Sequence, residues 1–286
     1  MHSVTARLKS LFLSSWHPFA WFAVIGFFVY GQTFFFGFSY FDDNVLIVDH
    51  IRDLTNFSNI GQIFQTDVFH VLGSSAGYYR PLLTLSFMVN AVFAGLQPFV
   101  YHFTNVLIHI AVTCFIFLLL VKLGFRRSKV FCLSLLFLVH PVVVQAVAWI
   151  PGRNDSLLAL FVVSSFIFFL KYIEKHRRRD YIRHLVLFFF ALLTKESAAV
   201  LPVVCFSFGL FVKKFGQECL PQVSQIKNSA KSRASQVHQV NYQKDQRLPP
   251  NLYVGWLGCL LVWGILRFSA VQSDVDLIGA GIKSVV

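Results

Sequence analysis

Apolar residues along the chain are gathered into long blocks that are separated by short polar strips. The longer blocks approach the roughly 20 residues that an α-helix needs to cross a hydrocarbon layer about 30 Å thick. The pattern therefore predicts an all-α polytopic membrane protein with about seven transmembrane helices. The predicted spans are residues 17–38, 102–122, 130–150, 156–171, 185–194, 197–212 and 252–270.

Three segments do not fit a simple series of spans. Block 81–95 is short and begins with Pro81, which suits the first turn of a helix. We interpret it as a juxtamembrane helix inside an outward loop, residues 39–101, because a crossing there would turn the basic strip 125–129 outward. Spans 185–194 and 197–212 are also short, and the sequence TKES between them predicts a tight hairpin. Segment 213–249 is rich in Gln, Ser and Lys, which predicts a flexible cytoplasmic loop.

Charge supports this topology. Arg7 and Lys9 precede the first block, which predicts a retained signal-anchor helix with a cytoplasmic N-terminus. Nineteen of the 25 Lys and Arg residues fall in segments that the topology places inside. The net charge of +12 is therefore explained by cytoplasmic loops, and no basic face for nucleic acid is seen. We expect a multi-pass protein of the bacterial inner membrane rather than of the endoplasmic reticulum.

Composition agrees with a membrane protein, since 56% of the 286 residues are hydrophobic and 13% are charged. The five cysteines show no metal-like spacing, so neither a disulfide framework nor a zinc site is expected. They are Cys114, Cys132, Cys205, Cys219 and Cys259.

Two adjacent carboxylates, Asp42 and Asp43, follow the first span in the sequence YFDDNVLI. Two like charges side by side repel each other, which is unfavourable unless the carboxylates have a functional role. A carboxylate at this position could hold a divalent cation or accept the proton of an acceptor hydroxyl. A solvated turn or helix cap beside Asn44 is the alternative.

Further charges fall on the same predicted outer face. Arg80 in YYRPLL and Arg153 in PGRND could each bind a phosphate, or contact lipid headgroups instead. Asp155 could cap the helix that follows. Lys195 and Glu196 lie between two apolar legs, where an ion pair is costly to bury and a purely structural role is less favoured. Arg267, in WGILRFSAV, adds a cation near the outer end of the last span.

His140 and Gln145, in the sequence HPVVVQ, are expected to support the site rather than to contact the substrate. Pro141 ends or kinks a helix there, and a buried histidine is more often a hydrogen-bonded core residue than a ligand. Taken together, the charges on this face suit a phosphate-bearing lipid that meets a hydroxyl nucleophile.

The stretches YRPLLTLSFMVNAVFAGLQPFVYHFTNVLIH (79–109), LFLVHPVVVQAVAWIPGRNDSL (136–157) and LLTKES (192–197) resemble the GT-C integral-membrane glycosyltransferases. Within that superfamily the chain is most similar to the transmembrane and tetratricopeptide-repeat O-mannosyltransferases and their bacterial relatives. The resemblance covers roughly residues 20–270. Members of this group are usually longer, so we expect a C-terminally truncated chain or a half that needs a partner.

The resemblance implies transfer of a sugar from a polyprenyl-phosphate donor to a hydroxyl acceptor, on a protein or a glycan, at the outer face of the membrane. It implies that Asp42 and Asp43 are catalytic and could hold a divalent cation, Mg²⁺ or Mn²⁺. Membrane lipid is a further expected partner. The residues matching the donor phosphate and sugar site are Arg80, Arg153, Asp155, Lys195, Glu196 and Arg267.

A different class of function stays open. The chain could be a non-catalytic lipid-phosphate-binding protein, a transporter or an assembly subunit derived from the same fold. A transporter would tend to place its charges near the membrane midplane on broken helices, whereas these charges gather at one rim.

Overall fold

The computed structural model describes residues 16–69, 77–215 and 248–283, and within these ranges it contains helices and no strand. In chain order the α-helices are α1 His17–Tyr30, α2 Ile51–Leu54, α3 Ile60–Ile63, α4 Pro81–Ala94, α5 Pro98–Lys122, α6 Arg127–Val139, α7 Val144–Ala148, α8 Arg153–Lys175, α9 Arg178–Thr194, α10 Leu201–Phe215 and α11 Pro250–Lys283. Short 3₁₀ turns follow α1 (Gly31–Phe35), α6 (Pro141–Val143) and α9 (Glu196–Val200), and a π-helical turn covers Asn44–Val48.

The predicted all-α polytopic class is confirmed. Four described helices are long and apolar enough to cross a membrane: His17–Phe35, Pro98–Lys122, Arg153–Lys175 and Pro250–Gln272. A fifth span results if Arg127–Val139 and Pro141–Ala148, which meet at 48°, are counted as one. Pro141 has no N–H for the helical ladder, which accounts for this bend.

The sequence predicted about seven spans, and the difference comes from the predicted hairpin 185–194 and 197–212. Its first leg is the apolar end of α9, a helix whose first turn is basic. Its second leg lies in a shorter apolar helix, Glu196–Val212, that falls below spanning length. The other short apolar helix is Pro81–Ala94, whose 14 residues extend about 21 Å at 1.5 Å per residue. Its position at the membrane surface stays a prediction.

Two clusters of apolar side chains hold the bundle together. One joins α1, α5 and α6 through Phe22, Phe117 and Phe131, whose rings stack or meet edge to face. The other joins α8, α9 and α11 through residues such as Phe188 and Trp256. Large apolar side chains that remain exposed on α11, as expected where a helix faces lipid, include Leu257, Leu261 and Ile265.

The segment after α1 has a small core of its own. Ile47 and Leu54 pack against Leu83, Phe87 and Met88 of α4, and all five are buried. This core fixes the segment that carries the two aspartates onto α4. It therefore determines where the aspartates lie relative to the starts of α5 and α8.

Candidate functional site

A cavity of about 120 Å³ lies at the end of the bundle where α5 and α8 begin. We call it the rim cavity. Its walls come from four parts of the sequence: the segment after α1, the start of α4, the α7–α8 turn and the junction after α9. Its polar and aromatic lining residues are Asp42, Phe69, Arg80, Trp149, Asn154, Asp155 and Lys195.

The turn that forms one wall requires a glycine. Gly152 lies so close to the backbone carbonyl of Gln145 that a Cβ there would clash with the oxygen, and the Trp149 carbonyl lies nearby. The PG pair of the PGRND motif therefore lets the chain reverse tightly before α8 begins at Arg153. This turn places Asn154 and Asp155 in the cavity wall.

Arg80 is held from two sides. Its Nη2 donates to Glu196 Oε1 at 3.2 Å, and its Nη1 donates to the side-chain oxygen of Asn154 at 3.1 Å. In that orientation the Asn154 amide nitrogen donates to the Thr194 carbonyl at 2.8 Å. Arg80 Nε is buried and has no hydrogen-bond partner in the part of the chain that the structure describes. The guanidinium is thus positioned firmly while one donor stays unsatisfied.

Asn154 was not among the residues singled out from the sequence. It lies in the same motif as Arg153 and Asp155, so its neighbours were the available signal. Its side chain is buried, and its amide joins the start of α8 to the end of α9 and to Arg80. No sequence pattern reports such a three-way contact.

Glu196 carries the counter-charge for two cations. Burial alone would raise the pKa of Glu196, but a backbone hydrogen bond, the contact with Arg80 and the charge of Arg267 lower the pKa overall. Arg267 itself donates to the Gly77 carbonyl at 3.0 Å and lies over the Trp263 ring at 5.4 Å. The structure therefore brings Arg267 close enough to Glu196 to interact with its charge, although Arg267 does not line the rim cavity.

Lys195 and Asp155 form a second ion pair, and both line the rim cavity. The pair is partly exposed, with 27% of the Lys195 side chain and 56% of the Asp155 side chain accessible to solvent. An exposed pair of this kind is weak and is readily rearranged. An anionic ligand could thus take the place of Asp155 beside Lys195.

The two adjacent aspartates lie in different surroundings. Asp42 is half-buried and lines the rim cavity. Asp43 is 1% exposed; its Oδ2 accepts hydrogen bonds from the backbone N–H and the hydroxyl of Ser39, at 2.6 and 2.9 Å. Burial raises the pKa of Asp43, and the bonds from Ser39 and the nearby His102 only partly offset this effect.

The two aspartates do not share the rim cavity, and a cation held by both stays a prediction. Asp43 Oδ1 is buried without a described partner, and Asp43 is absent from the residues that line the rim cavity. Over the described ranges, no group of three or more His, Cys, Asp or Glu side chains converges on a common point. A cation at Asp42 would need additional ligands from a bound phosphate.

The structure places Arg153 apart from the other predicted donor-binding residues. Arg153 is fully buried, and its nitrogens donate to Asn105 Oδ1 at 2.6 Å, to the Ser86 carbonyl and hydroxyl, and to the Tyr101 carbonyl at 2.9 Å. Its guanidinium also lies over the Phe87 ring at 4.9 Å. In this position Arg153 ties α4, α5 and α8 together below the cavity.

His140 and Gln145 are both exposed and do not line the rim cavity. His140 Nδ1 accepts from the backbone N–H of Val142 at 3.2 Å, which caps the 3₁₀ turn after α6. Gln145 contributes its backbone carbonyl to the Gly152 turn. Both support the backbone around the α7–α8 turn.

Residues 82–223 match the family model described as dolichyl-phosphate-mannose-protein mannosyltransferase. This range includes Asp155, Lys195 and Glu196, while Asp42 and Arg80 lie before it. No solved structure matches the chain.

Several curated relatives match between about a third and two thirds of the chain. Protein O-mannosyl-transferase Tmtc1 of Drosophila melanogaster is 28% identical over 186 residues, which is 64% of this chain and 21% of the relative. Protein O-mannosyl-transferase TMTC1 of Mus musculus is 30% identical, over 63% of this chain and 21% of the relative. Protein O-mannosyl-transferase TMTC3 of Homo sapiens is 36% identical, over 48% of this chain and 15% of the relative.

These relatives are animal proteins, so the expected bacterial membrane stays a prediction. The chain spans about a fifth of the length of the first two relatives that it matches. The resemblance drawn from the three sequence motifs is confirmed by the family model and the relatives together. The chain is therefore a multi-pass membrane protein that is similar to the protein O-mannosyltransferases of the GT-C superfamily.

Proposed function

We propose that the rim cavity binds a polyprenyl-phosphate sugar and transfers the sugar to a hydroxyl acceptor, so that the chain acts as a glycosyltransferase. The observation that carries this proposal is the meeting of Asp42 with two cations, Arg80 and Lys195, in one cavity of a membrane-embedded bundle. The relatives are named protein O-mannosyl-transferases, which favours mannose as the sugar and a protein as the acceptor.

The phosphate of the donor lies between Arg80 and Lys195 in this proposal. Arginine suits the planar, two-point recognition of a phosphate, and lysine adds a point charge. Glu196 and Asn154 hold Arg80 in place before the donor arrives, so little rearrangement is needed on binding. Arg267 acts through Glu196, whose charge it shares with Arg80.

The transfer is a displacement at the anomeric carbon. The acceptor oxygen forms a bond to that carbon, while the bond from the carbon to the phosphate oxygen breaks and leaves its electron pair on the phosphate. The proton of the hydroxyl passes to the Asp42 carboxylate. The leaving polyprenyl phosphate gains negative charge, which Arg80 and Lys195 stabilise. Asp43, bound to Ser39, is a positioning residue that fixes the turn carrying Asp42.

A divalent cation, Mg²⁺ or Mn²⁺, is part of the proposal only as an optional addition. Asp42 could supply one ligand, and the phosphate of the donor could supply others, in the manner usual for Mg²⁺. Such an ion would neutralise phosphate charge alongside Arg80 and Lys195. No step of the transfer described above passes through it.

The proposed topology places the N-terminus in the cytoplasm and the rim cavity at the outer face. It is supported by the basic strips at the far end of the bundle, where Lys122 pairs with Glu174 at 2.8 Å. A cysteine-accessibility experiment tests it directly. A cysteine introduced at Asp49, near the cavity, should react with an impermeant reagent added outside sealed cells, and one introduced at Arg177 should not.

The function is tested with the purified chain in nanodiscs and a panel of radiolabelled polyprenyl-phosphate sugars. We expect turnover in the wild type, its loss in Asp42→Asn, and little change in Asp49→Asn, which removes an exposed carboxylate from the same segment. Saturable donor binding without turnover would instead favour the alternative class, a non-catalytic lipid-phosphate binder, transporter or assembly subunit. If neither turnover nor donor binding is detected, the proposal is overturned.

A further inference from the structure

A second cavity, of about 60 Å³, adjoins the rim cavity. It lies between the short helices α2 and α3 and the first half of α4, and we call it the loop cavity. Leu46, Val68 and Arg80 line both cavities, so these three side chains form a shared wall. The proposed transfer chemistry does not use the loop cavity.

The loop cavity has an apolar floor and a polar rim. Leu54, Ile63 and Met88 form the floor, and all three are buried. Among the described residues, the rim carries uncharged hydrogen-bonding groups, namely the Asn59 and Gln62 amides and the hydroxyls of Thr66 and Thr84, together with the Asp53 carboxylate and His50. An amide side chain offers both a donor and an acceptor, which is what a peptide group requires.

Charge distinguishes the two cavities. The rim cavity presents Arg80 and Lys195, whereas Arg80 on the shared wall is the one lysine or arginine among the residues that line the loop cavity. Two carboxylates, Asp53 and Asp67, also lie there, and Asp67 is occupied by the backbone N–H groups of Phe69 and Tyr78. A phosphate is therefore disfavoured in the loop cavity, and the amides and hydroxyls on its rim suit an uncharged ligand.

Size limits the ligand further. One water molecule needs a cavity volume of about 10–15 Å³, so a cavity of about 60 Å³ holds roughly four to six atoms of the size of a water molecule. A small side chain such as threonine or valine fits this volume, and an aromatic ring does not. The apolar floor would contact a methyl group.

The shared wall adds an independent indication of a ligand. Arg80 Nε is buried and has no partner over the described ranges, and leaving such a donor without an acceptor is unfavourable. A peptide carbonyl that crosses the shared wall would supply that acceptor. Neighbouring Cα atoms of a peptide are about 3.8 Å apart, so one chain can place adjacent residues in adjacent cavities.

We propose that the loop cavity receives a small side chain next to the acceptor hydroxyl of an uncharged peptide. The acceptor hydroxyl then lies in the rim cavity beside Asp42, and its neighbour occupies the loop cavity. This inference rests on the proposed function, and it names the acceptor class as a threonine- or serine-containing segment with small flanking residues.

The test uses a fluorescein-labelled, uncharged peptide of alternating threonine and valine, with its binding to the chain in nanodiscs followed by fluorescence anisotropy. The variant Thr84→Trp fills the loop cavity from α4. The matched control, Thr55→Trp, makes the same change at an exposed threonine that does not line the cavity. We expect Thr84→Trp to weaken peptide binding at least tenfold and Thr55→Trp to leave it unchanged. A peptide with tryptophan in place of valine should bind the wild type at least tenfold more weakly.

Polyprenyl-phosphate binding is measured on the same samples and shows whether each variant is folded. If Thr84→Trp binds neither the peptide nor the polyprenyl phosphate, the milder variant Gln62→Ala, at an exposed position, is tested instead. We expect Gln62→Ala to lose about threefold in peptide affinity and nothing in donor affinity. Donor binding without saturable peptide binding, or equal peptide affinity in the wild type and Thr84→Trp, overturns this inference and leaves the proposed function intact. Peptide binding with the expected size preference but without donor binding overturns the proposed function instead.

Discussion

Two arginines that the sequence assigned the same role have different environments in the folded chain. Arg153 is fully buried and donates to Asn105, Ser86 and Tyr101. Arg80 is 16% exposed, lines two cavities and keeps one donor without a described partner. Arg80 immediately precedes α4 and Arg153 begins α8, and the sequence suggested the same phosphate-binding role for both.

The comparison teaches that the number of hydrogen-bond donors already paired within the protein, rather than the charge, separates a structural cation from a ligand-binding cation. A buried guanidinium whose three nitrogens all donate to protein acceptors has little hydrogen-bonding capacity left for a ligand. A guanidinium held at two nitrogens by Glu196 and Asn154 is equally well placed but can still donate a hydrogen bond to a new partner. The following experiments are designed to break or sharpen this contrast.

The largest effect is expected for Arg153→Met. The change leaves the buried acceptors Asn105 Oδ1 and the Tyr101 carbonyl without the hydrogen bonds from Arg153, and a buried polar group that loses its partner typically costs about 1–3 kcal/mol. We expect a large fall in the thermal unfolding temperature in detergent and loss of a single species on size-exclusion chromatography. Arg52→Met, at an exposed position, is the control and should change stability by less than about 0.5 kcal/mol. Wild-type stability in Arg153→Met would show that Arg153 is not the structural cation.

Arg80→Met should separate binding from stability. The variant removes a charge that lines the rim cavity, and we expect donor affinity to fall by about tenfold or more, equivalent to about 1.4 kcal/mol per tenfold. Arg80→Lys keeps the charge but loses the two-point contact, so an intermediate affinity is expected. Donor titration by intrinsic fluorescence measures both. A loss of folding comparable to that of Arg153→Met, with unchanged donor affinity in the folded fraction, would contradict the contrast.

A smaller effect is expected at the far end of the bundle. Trp256 Nε1 donates to His184 Nε2 at 2.8 Å, and His184 Nδ1 lies 2.8 Å from the Ser165 hydroxyl. Trp256→Phe removes one hydrogen bond, for an expected loss of about 1 kcal/mol in the free energy of unfolding. Donor affinity should not change, because this cluster lies away from both cavities. Trp16→Phe, at an exposed tryptophan, is the control, and an altered donor affinity in Trp256→Phe would show that the two ends are coupled.

The smallest effect concerns pH, and its sign differs between two carboxylates. The pKa of Glu196 lies below its ordinary value of 4.5, so its contribution to stability is present above pH 4.5 and is lost as pH falls through the folded-state pKa. The pKa of Asp43 lies above its ordinary value of 3.8, so its contribution is complete below pH 3.8 and is lost as pH rises through the folded-state pKa.

Two amide variants measure this difference. Glu196→Gln should be less stable than the wild type near pH 7, and the gap should close on acidification. Asp43→Asn should gain stability relative to the wild type as pH rises above 3.8. Unfolding temperatures between pH 3.5 and 7 should differ by about a few degrees at most. The same sign of change in both variants would contradict the assigned surroundings of the two carboxylates.

Much of the fold could be read from the sequence because a hydrocarbon layer imposes one strong constraint. A backbone in lipid must satisfy its own hydrogen bonds, so long apolar blocks become helices whatever their neighbours are. The spans at 102–122 and 156–171 lie within helices Pro98–Lys122 and Arg153–Lys175 for this reason. The hairpin at 185–212 was harder to predict, since its first leg is the apolar end of a longer helix, Arg178–Thr194, that begins with basic residues.

For the candidate site, the sequence by itself determined which charged residues lie near one end of the helices. That followed from the helix boundaries and from the GT-C motifs, and it singled out Asp42, Arg80, Asp155 and Lys195. Tertiary structure alone decided that these four share a cavity, that Asp43 is buried against Ser39, and that Arg153 is buried and hydrogen-bonded within the core. The physical reason is that a hydrogen bond depends on distances between segments remote in sequence, such as the 116 residues that separate Arg80 from Glu196.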